Sequence, residues 1–547
     1  MSQTLDQIFL NSAAKKPDAT ALSADPECHN QPLSPTNEIT YQQAADYIVQ
    51  TAADLRSRGL KDGDILLTQL PSLIETPLLL LAIMNAGLVP CLIPSQWRRK
   101  EIEAAISALT PSAALAHPTN KTDNPFEALF EIAAQELSFR YIFGLDPASP
   151  DGVTPLPVLN PRTGETTGSD SGQFIQNEAP LFRRSGEQVA MIAWTHDQEG
   201  QPKPVAHTHI QLMANAYMVT EGIMPEGRKS KESGKNAPHL MTHFNPASLP
   251  GFIAAFIPWV TEAASLHLTT NLKTDDVISI IKQRRIDYAL IPHGISSALS
   301  STMATQLPEE ERPTLVSFAS SPARAIAGTT GETPTTQLYN LNGLCLARAV
   351  NNPGEGLLRL GPQQDKNGNT PTPPFIETRL QGATQKAADG TAVMRGRLEL
   401  SGTAVGFTEW HDTITTTPLS NFDQHWEATS LRGKLVNHEM TRLEIETLSD
   451  IIYHGNHPLN GQELDHLYQA YPGFIDAAAF SIEDPLMGER LFAAIIPKPG
   501  DALSYDDFKN HLLAQQISPA KIPEKLVTVT EIPRDDQGLI ARSEILR

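Results

Sequence analysis

The sequence is poor in the features that mark extracellular, membrane or nucleic-acid-binding proteins. Cysteine is scarce: Cys28, Cys91 and Cys345 are the only three in 547 residues. They are odd in number and lie too far apart for a paired zinc spacing, so neither a disulfide framework nor a Cys-rich metal site is expected. That usage points to a reducing, cytoplasmic compartment. Positive charge is in deficit, with 42 Lys and Arg against 62 Asp and Glu, a net of −20. Nonspecific nucleic-acid binding needs a basic surface and is not expected. Long apolar runs are missing too, since the longest tract, Pro77 to Pro94, is broken by Asn85, Gly87 and Pro90. It falls short of the roughly 20 residues of a membrane helix, and no membrane span is expected. Met1 to Leu10 shows no basic and apolar signal pattern, so no secretory signal is expected.

The remaining composition is that of a folded protein. Hydrophobic residues make up 40%, and a net charge of −20 over this length does not describe an acidic disordered chain. At roughly 150 residues per domain, the length accommodates about two to four domains. Helical and strand signals alternate. Thr40 caps a predicted helix with apolar Ala44, Ala45, Ile48, Val49, Ala52 and Leu55, closed by Gly59. Ile65 to Leu70 then reads as a strand, Glu75 to Ala86 as a mostly apolar helix and Val89 to Ile93 as a strand. The pattern returns where Thr274-Asp275-Asp276 opens a helix and Tyr288 to Ile291 follows as a strand. Such alternation predicts an α/β protein with mainly parallel sheets flanked by helices.

Two Pro-, Gly-, Ser- and Thr-rich segments, Asp146 to Pro180 and Pro362 to Thr391, read as surface loops, as does the basic stretch Gly227 to Lys235. The C-terminal stretch has its own pattern. Helices are predicted at Glu463 to Tyr468 and Tyr505 to Leu513, and strands at Ala477 to Ser481, Leu491 to Ile496 and Lys525 to Val529. These signals predict a small α+β domain, residues 447–547, hinged to a large body, residues 1–446.

The most informative stretch starts with a predicted strand, Val189 to Trp194. It continues through Thr195-His196-Asp197-Gln198-Glu199-Gly200-Gln201-Pro202-Lys203-Pro204-Val205-Ala206-His207-Thr208-His209 and enters an apolar helix from Ile210. A strand, a loop and a helix N-terminus make a geometry that cradles phosphate. The stretch resembles the phosphate loop of the adenylate-forming superfamily, the acyl-CoA synthetases, luciferases and adenylation domains. Thr195, Gly200, Pro202, Lys203, Val205, Thr208 and His209 keep the register. The order of elements from Thr40 into the C-terminal domain follows the same family. The resemblance implies ATP and Mg²⁺ chemistry and an acyl or carboxylate group beside His243-Phe244-Asn245 and the helix from Gly251. Tyr339 and Asn340 are further substrate-binding positions by the same resemblance.

The residues depart from the family where that chemistry is implied. His196, Asp197, Gln198 and Glu199 replace the small hydroxyl and glycine residues of the phosphate loop. Each carboxylate would oppose polyphosphate by about 4 kcal/mol at about 4 Å and an effective dielectric of about 20. Lys203 is a single cation against them. Gly343 stands at the magnesium carboxylate, Leu431 at the ribose carboxylate, Thr447 at the hinge arginine and Leu539 at the lysine that enters during adenylation, while Asp450 persists as a pivot. Glycine and leucine side chains carry no oxygen for a metal or a ribose. A missing charge-stabilising group typically costs a transition state about 2.7 to 4 kcal/mol.

The expected protein is therefore a degenerate, adenylation-deficient member with no catalytic residue, metal or cofactor. It would bind an acyl group, a carboxylate, an acyl carrier protein or a related synthetase. The alternative is a divergent but active carboxylic acid-CoA ligase using ATP, Mg²⁺ and CoA, with Lys521 or Lys525 as the entering lysine. Other constellations are weaker. Asp197 and Glu199 with His196 read as a solvated loop ahead of a cation or amine site. His207 and His209 read as hydrogen-bonding residues, and His454 and His457 as turn residues flanking Gly455, since zinc needs further ligands.

Overall fold

Thr40 starts a helix by a reciprocal cap. Its hydroxyl accepts from the Gln43 backbone N–H at 3.2 Å while the Gln43 side chain accepts from Thr40 N at 2.9 Å. The helix, Tyr41–Ser57, ends before Gly59, whose φ of 78° is the left-handed conformation that the sequence reading required there. The computed structural model describes residues 3–546 apart from 29–37, 119–123, 136–137, 146–148, 160–165, 168–184, 197–200, 225–236, 321–334, 350–357, 365–368, 383, 387–391, 410–413, 417–424, 436–441, 447–449, 456, 485–487, 500–503 and 535–538.

Two largely parallel sheets form the body. In the first, Cys345–Arg348, Thr335–Leu341, Thr314–Ala319, Tyr288–Pro292, His239–Thr242, Ser265–Leu268, Thr20–Ala24 and Glu38–Thr40 lie side by side. Only its two outermost pairs are antiparallel. In the second the order is Pro202–Thr208, Val189–His196, Val89–Leu92, Ile65–Gln69, Ala113–Ala116, Tyr141–Gly144 and Thr154–Pro155, with one antiparallel pair at the Pro202–Thr208 edge. Helix Glu75–Asn85, whose residues Glu75 to Met84 are all buried, and the π-helical turn Phe252–Phe256 share one apolar core with strands of both sheets. A helix that is apolar all round belongs in such an interior. The parallel sheets flanked by helices are thus the α/β architecture expected from the alternation.

A third sheet was not anticipated. Leu358–Arg359, Arg442–Glu446, Glu427–Leu435, Ala392–Ser401, Glu377–Gln381 and Gly361–Pro362 form an antiparallel sheet, with Thr384–Lys386 added beside Ala392–Ser401. The segment Pro362 to Thr391, read as a loop, therefore supplies strands of this sheet. Most of Asp146 to Pro180 and Gly227 to Lys235 lies outside the described residues.

The C-terminal region folds around its own five-stranded mixed sheet of His457–Asn460, Ile451–His454, Gly488–Pro497, Phe474–Asp484 and Leu526–Thr528. Helices Gly461–Gln469 and Tyr505–Ala514 cover one face through Leu464, Tyr468, Phe508 and Leu512. Ile532 and Ile545 cover Ala478, Phe480 and Ala494 on the other. Asp450, placed at the pivot, is held within this domain: its carbonyl accepts from Gly461 N at 2.6 Å and its carboxylate lies 3.5 Å from Arg542 Nε.

Candidate functional site

The strand Val189–His196 continues the second sheet, with Ile192 beside Cys91. It does not lead through a loop into a helix, as the sequence suggested. It pairs with Pro202–Thr208 in a hairpin whose register sets Thr195 opposite Lys203 and His196 opposite Pro202. The reason the second strand escaped notice is its Pro202-Lys203-Pro204 start, which suits only an edge position because proline has no N–H for a central ladder. Asp197, Gln198, Glu199 and Gly200 lie outside the described residues. The following helix, His209–Thr220, begins with a Thr208–Gln211 capping box. His209 Nδ1 accepts from the Leu5 backbone, and His207 is buried on the strand with Nε2 donating to the Gly343 carbonyl at 3.2 Å. Burial lowers the His207 pKa to about 4, so the ring is neutral at pH 7.

Lys203, the one cation of the loop motif, is engaged. Its ammonium donates to Thr408 Oγ1 at 2.9 Å, and that hydroxyl donates on to the buried carboxylate of Glu427. Glu427 also accepts from Thr408 N at 2.8 Å and lies 2.9 Å from His425 Nε2. The exposed lysine is thus linked to a protein carboxylate through one hydroxyl. The sequence reading passed over Thr408, His425 and Glu427. Their only local signal was Glu427 beside the ribose segment, and a backbone bridge from Ala206 to Phe407 is what brings Thr408 to the hairpin.

Gly343 occupies a tight turn. Asn342 and Gly343 have φ of 57° and 74°, and Leu344 N donates to Leu341 O at 3.0 Å. Two left-handed central residues with the sequence Asn-Gly are the signature of a hairpin turn. Asn340 Oδ1 accepts from Gly343 N at 2.8 Å, so that side chain serves the turn. A Cβ added at Gly343 would lie 2.5 Å from the Trp194 carbonyl oxygen and 3.4 Å from Thr195 Cβ. The position is closed to any side chain as well as empty of a ligand atom. Gly343→Ala is expected to lower stability by about 1–3 kcal/mol, the scale of local backbone strain, as a downward shift of the urea midpoint without loss of folded-state circular dichroism.

The neighbouring positions are equally dry. Tyr339 has 0% exposure and lies in the apolar cluster that also holds Val205, Leu341 and Leu431. Burial pushes its hydroxyl pKa well up. Leu431 is buried in the strand Glu427–Leu435, and Ser430 of that strand donates to Asn342 Oδ1 at 2.5 Å, which ties the ribose and metal positions together. Thr195 is buried and His196 half-buried. At the carboxyl end of the strand His239–Thr242, His243 Nε2 donates to Asn271 O at 2.8 Å and its buried Nδ1 has no hydrogen-bond partner among the described residues. Phe244 meets Phe318 edge-on at 5.4 Å. Asn245 donates to Leu70 O at 2.6 Å, and Gly251 abuts the Asn245 carbonyl so closely that a Cβ would lie 2.1 Å from it. This loop therefore joins the two parallel sheets at their carboxyl ends, the usual place for ligands in open α/β sheets.

The C-terminal domain closes on this side. His457 Nδ1 lies 2.7 Å from Gln96 Nε2, next to Trp97, whose ring is 5.4 Å from that of Trp194. Lys521 sits in the same contact, its ammonium 2.9 Å from Glu101 Oε1 of helix Arg99–Ile106 and 2.6 Å from Glu463 Oε1. Leu539 is 40% exposed on the C-terminal domain, and Thr447 lies outside the described residues. No group of three or more His, Cys, Asp and Glu side chains suited to a metal occurs among the described residues, and no described helix is long and apolar enough to cross a membrane.

A parallel α/β body with a hairpin at the phosphate-loop position and a separate C-terminal domain is the architecture of adenylate-forming enzymes. A family model described as AMP-binding enzyme matches residues 9–309, and the chain belongs to that family. It is similar to a 4-coumarate--CoA ligase-like protein of Oryza sativa subsp. japonica, 22% identical over 90% of this chain and 81% of the relative. It is 24% identical to the vibriobactin-specific 2,3-dihydroxybenzoate-AMP ligase of Vibrio cholerae, over 100% of this chain and 94% of the relative. Among solved structures, the amide bond synthetase McbA of Marinactinospora thermotolerans superposes with a TM-score of 0.70 at 15% identity, covering 99% of both chains.

Proposed function

We propose that the protein is an adenylation-deficient member of this family that binds an acyl group or carboxylate, with an acyl carrier protein or a related synthetase as partner. The observation that carries the reading is the Gly343 turn, flush against the Trp194 carbonyl, where the family's magnesium carboxylate would be. The residues around it do not fit Mg-ATP: Leu431 offers no acceptor to a ribose, and Lys203 is tied through Thr408 to Glu427. No step through ATP is assigned to this chain. The ligase reading with Lys521 as the entering lysine loses support because that ammonium is buried between Glu101 and Glu463.

The test is pyrophosphate release with Mg-ATP and a panel of 4-coumarate, salicylate, 2,3-dihydroxybenzoate, malonate and medium-chain fatty acids. No acid-dependent signal is expected. The melting temperature should also be unmoved by millimolar Mg-ATP, whereas a ligand at 100 times its Kd would add about 2.7 kcal/mol. Robust acid-dependent pyrophosphate release would sink the reading in favour of a divergent ligase.

A further inference from the structure

A second constellation lies where strands Thr20–Ala24 and Ser265–Leu268 of the first parallel sheet pair. Ser23 and His267 are register partners on adjacent strands, and both are buried. Ser23 Oγ is 2.9 Å from His267 Nδ1, and His267 Nε2 is 3.2 Å from Asp25 Oδ1, whose other oxygen accepts from Thr269. The proton positions follow from the acceptors. Asp25 is an ionised carboxylate that accepts only, so Nε2 carries the hydrogen, Nδ1 accepts, and Ser23 donates to it. Burial keeps His267 neutral, and its hydrogen bonds with Asp25 hold the Asp25 pKa down despite the opposing effect of burial. With its hydrogen committed, Ser23 presents only lone pairs to its surroundings.

Ser23 and His267 line a cavity of about 480 Å³, within the size range of small-molecule sites. Its other walls include His239, Glu38, Arg284 and Arg285. Arg284 donates to Glu38 at 2.6 Å. Arg285 makes no polar contact with any described residue and is exposed at the left-handed end of helix Thr274–Arg284, with φ of 51°. His239, Ser265 and Thr20 begin their strands, while Ser23 and His267 lie farther along theirs, so the cavity runs from the amino ends of these strands toward Asp25, whose charge reaches His243. The lining therefore offers guanidinium donors for an oxyanion, Arg285 and the part of Arg284 not engaged by the Glu38 carboxylate, and the Ser23 oxygen as acceptor for a hydroxyl.

We propose that this cavity, whose lining includes none of the residues placed at the phosphate-loop, Gly343 or His243–Asn245 positions, is a second ligand site for a small hydroxylated oxyanion. Arg285 and Arg284 hold the anionic group, and Ser23, fixed by His267 and Asp25, accepts from a ligand hydroxyl. The proposal does not depend on the adenylation reading. The full-length protein is titrated by calorimetry with sn-glycerol 3-phosphate, D-glycerate and, as the uncharged control, glycerol. At least one of the two anions should bind saturably and glycerol should not, and which anion binds separates a phosphate ligand from a carboxylate one. Arg285→Gly removes the guanidinium while suiting the left-handed backbone, so it should fold and bind at least tenfold more weakly. Ser23→Ala should weaken the hydroxylated anion more than it weakens inorganic phosphate. Absence of saturable binding by both anions, undiminished binding by Arg285→Gly, or equal affinity for glycerol 3-phosphate and inorganic phosphate overturns the proposal.

Discussion

Lys521→Met is expected to release the C-terminal domain from the body and to lower the stability of their contact by about 3–5 kcal/mol, the scale for breaking a buried ion pair from one side. The reason lies in what remains. Glu101 Oε1 accepts from Lys521 and from the Ser518 backbone, and Oε2 accepts from Arg98 N, while Glu463 Oε1 takes the other side of the ammonium. Without the lysine two carboxylates face each other, one of them with 7% side-chain exposure. Burial pulls the Lys521 pKa down, but Glu463 and Glu101 outweigh it and hold the ammonium above the ordinary lysine value. The ammonium therefore stays charged through neutral pH, and its contribution is lost as pH rises past that raised value. Limited proteolysis and small-angle scattering read the outcome: faster cleavage between the domains and a larger radius in Lys521→Met. The triple variant with Glu101→Gln and Glu463→Gln should regain most of the loss, since it leaves no buried charge. A wild-type cleavage rate in Lys521→Met would show that the bridge does not hold the domains.

That contact also marks how far the sequence could be read. The helix Tyr41–Ser57, the strand Ile65–Gln69 and the helix Gly461–Gln469 are local: a cap, an apolar period and a turn residue specify each within a few positions. Lys521 and Glu101 meet across more than four hundred positions of chain, and nothing near either residue encodes the partner. The hairpin strand Pro202–Thr208 was hidden because its prolines suppress the strand signal, although an edge tolerates them. The strand Glu427–Leu435 alternates buried and accessible residues along its length, but its Thr, Ser and Gly content reads as loop. At the candidate site the sequence showed that Gly343 is not a carboxylate. It could not show why, because the left-handed turn and its approach to Trp194 are properties of two segments far apart in the chain. The same holds for Lys203, whose hydrogen-bond relay runs through Thr408 to Glu427.

Glu75→Gln is expected to remove a pH-dependent loss of stability of about 3 kcal/mol. Glu75 begins the central helix Glu75–Asn85, is 4% exposed, and its Oε2 has no hydrogen-bond partner among the described residues. Burial raises its pKa from 4.5 to about 7, while its own backbone N–H at the helix start pulls weakly the other way. Tyr47 on helix Tyr41–Ser57 is buried and close enough to feel its charge. Asp6 on helix Leu5–Lys15, also buried, accepts from Asn85 at the far end of the Glu75 helix. No charged partner among the described residues offsets the burial of Glu75. The sign follows from proton binding. Below about pH 4.5 the group is protonated in both states and contributes nothing; between about 4.5 and 7 the folded chain keeps a proton that the unfolded chain has released. Stability therefore falls through that window by about 1.4 kcal/mol per pH unit and reaches a constant penalty above it. Denaturant unfolding at pH 5, 6, 7 and 8 should show Glu75→Gln gaining on the wild type as pH rises, most of the gain arriving by pH 7. Parallel curves for the two proteins across that range would mean that Glu75 is already ionised in the fold, and that the central helix carries a buried charge whose partner is still to be found.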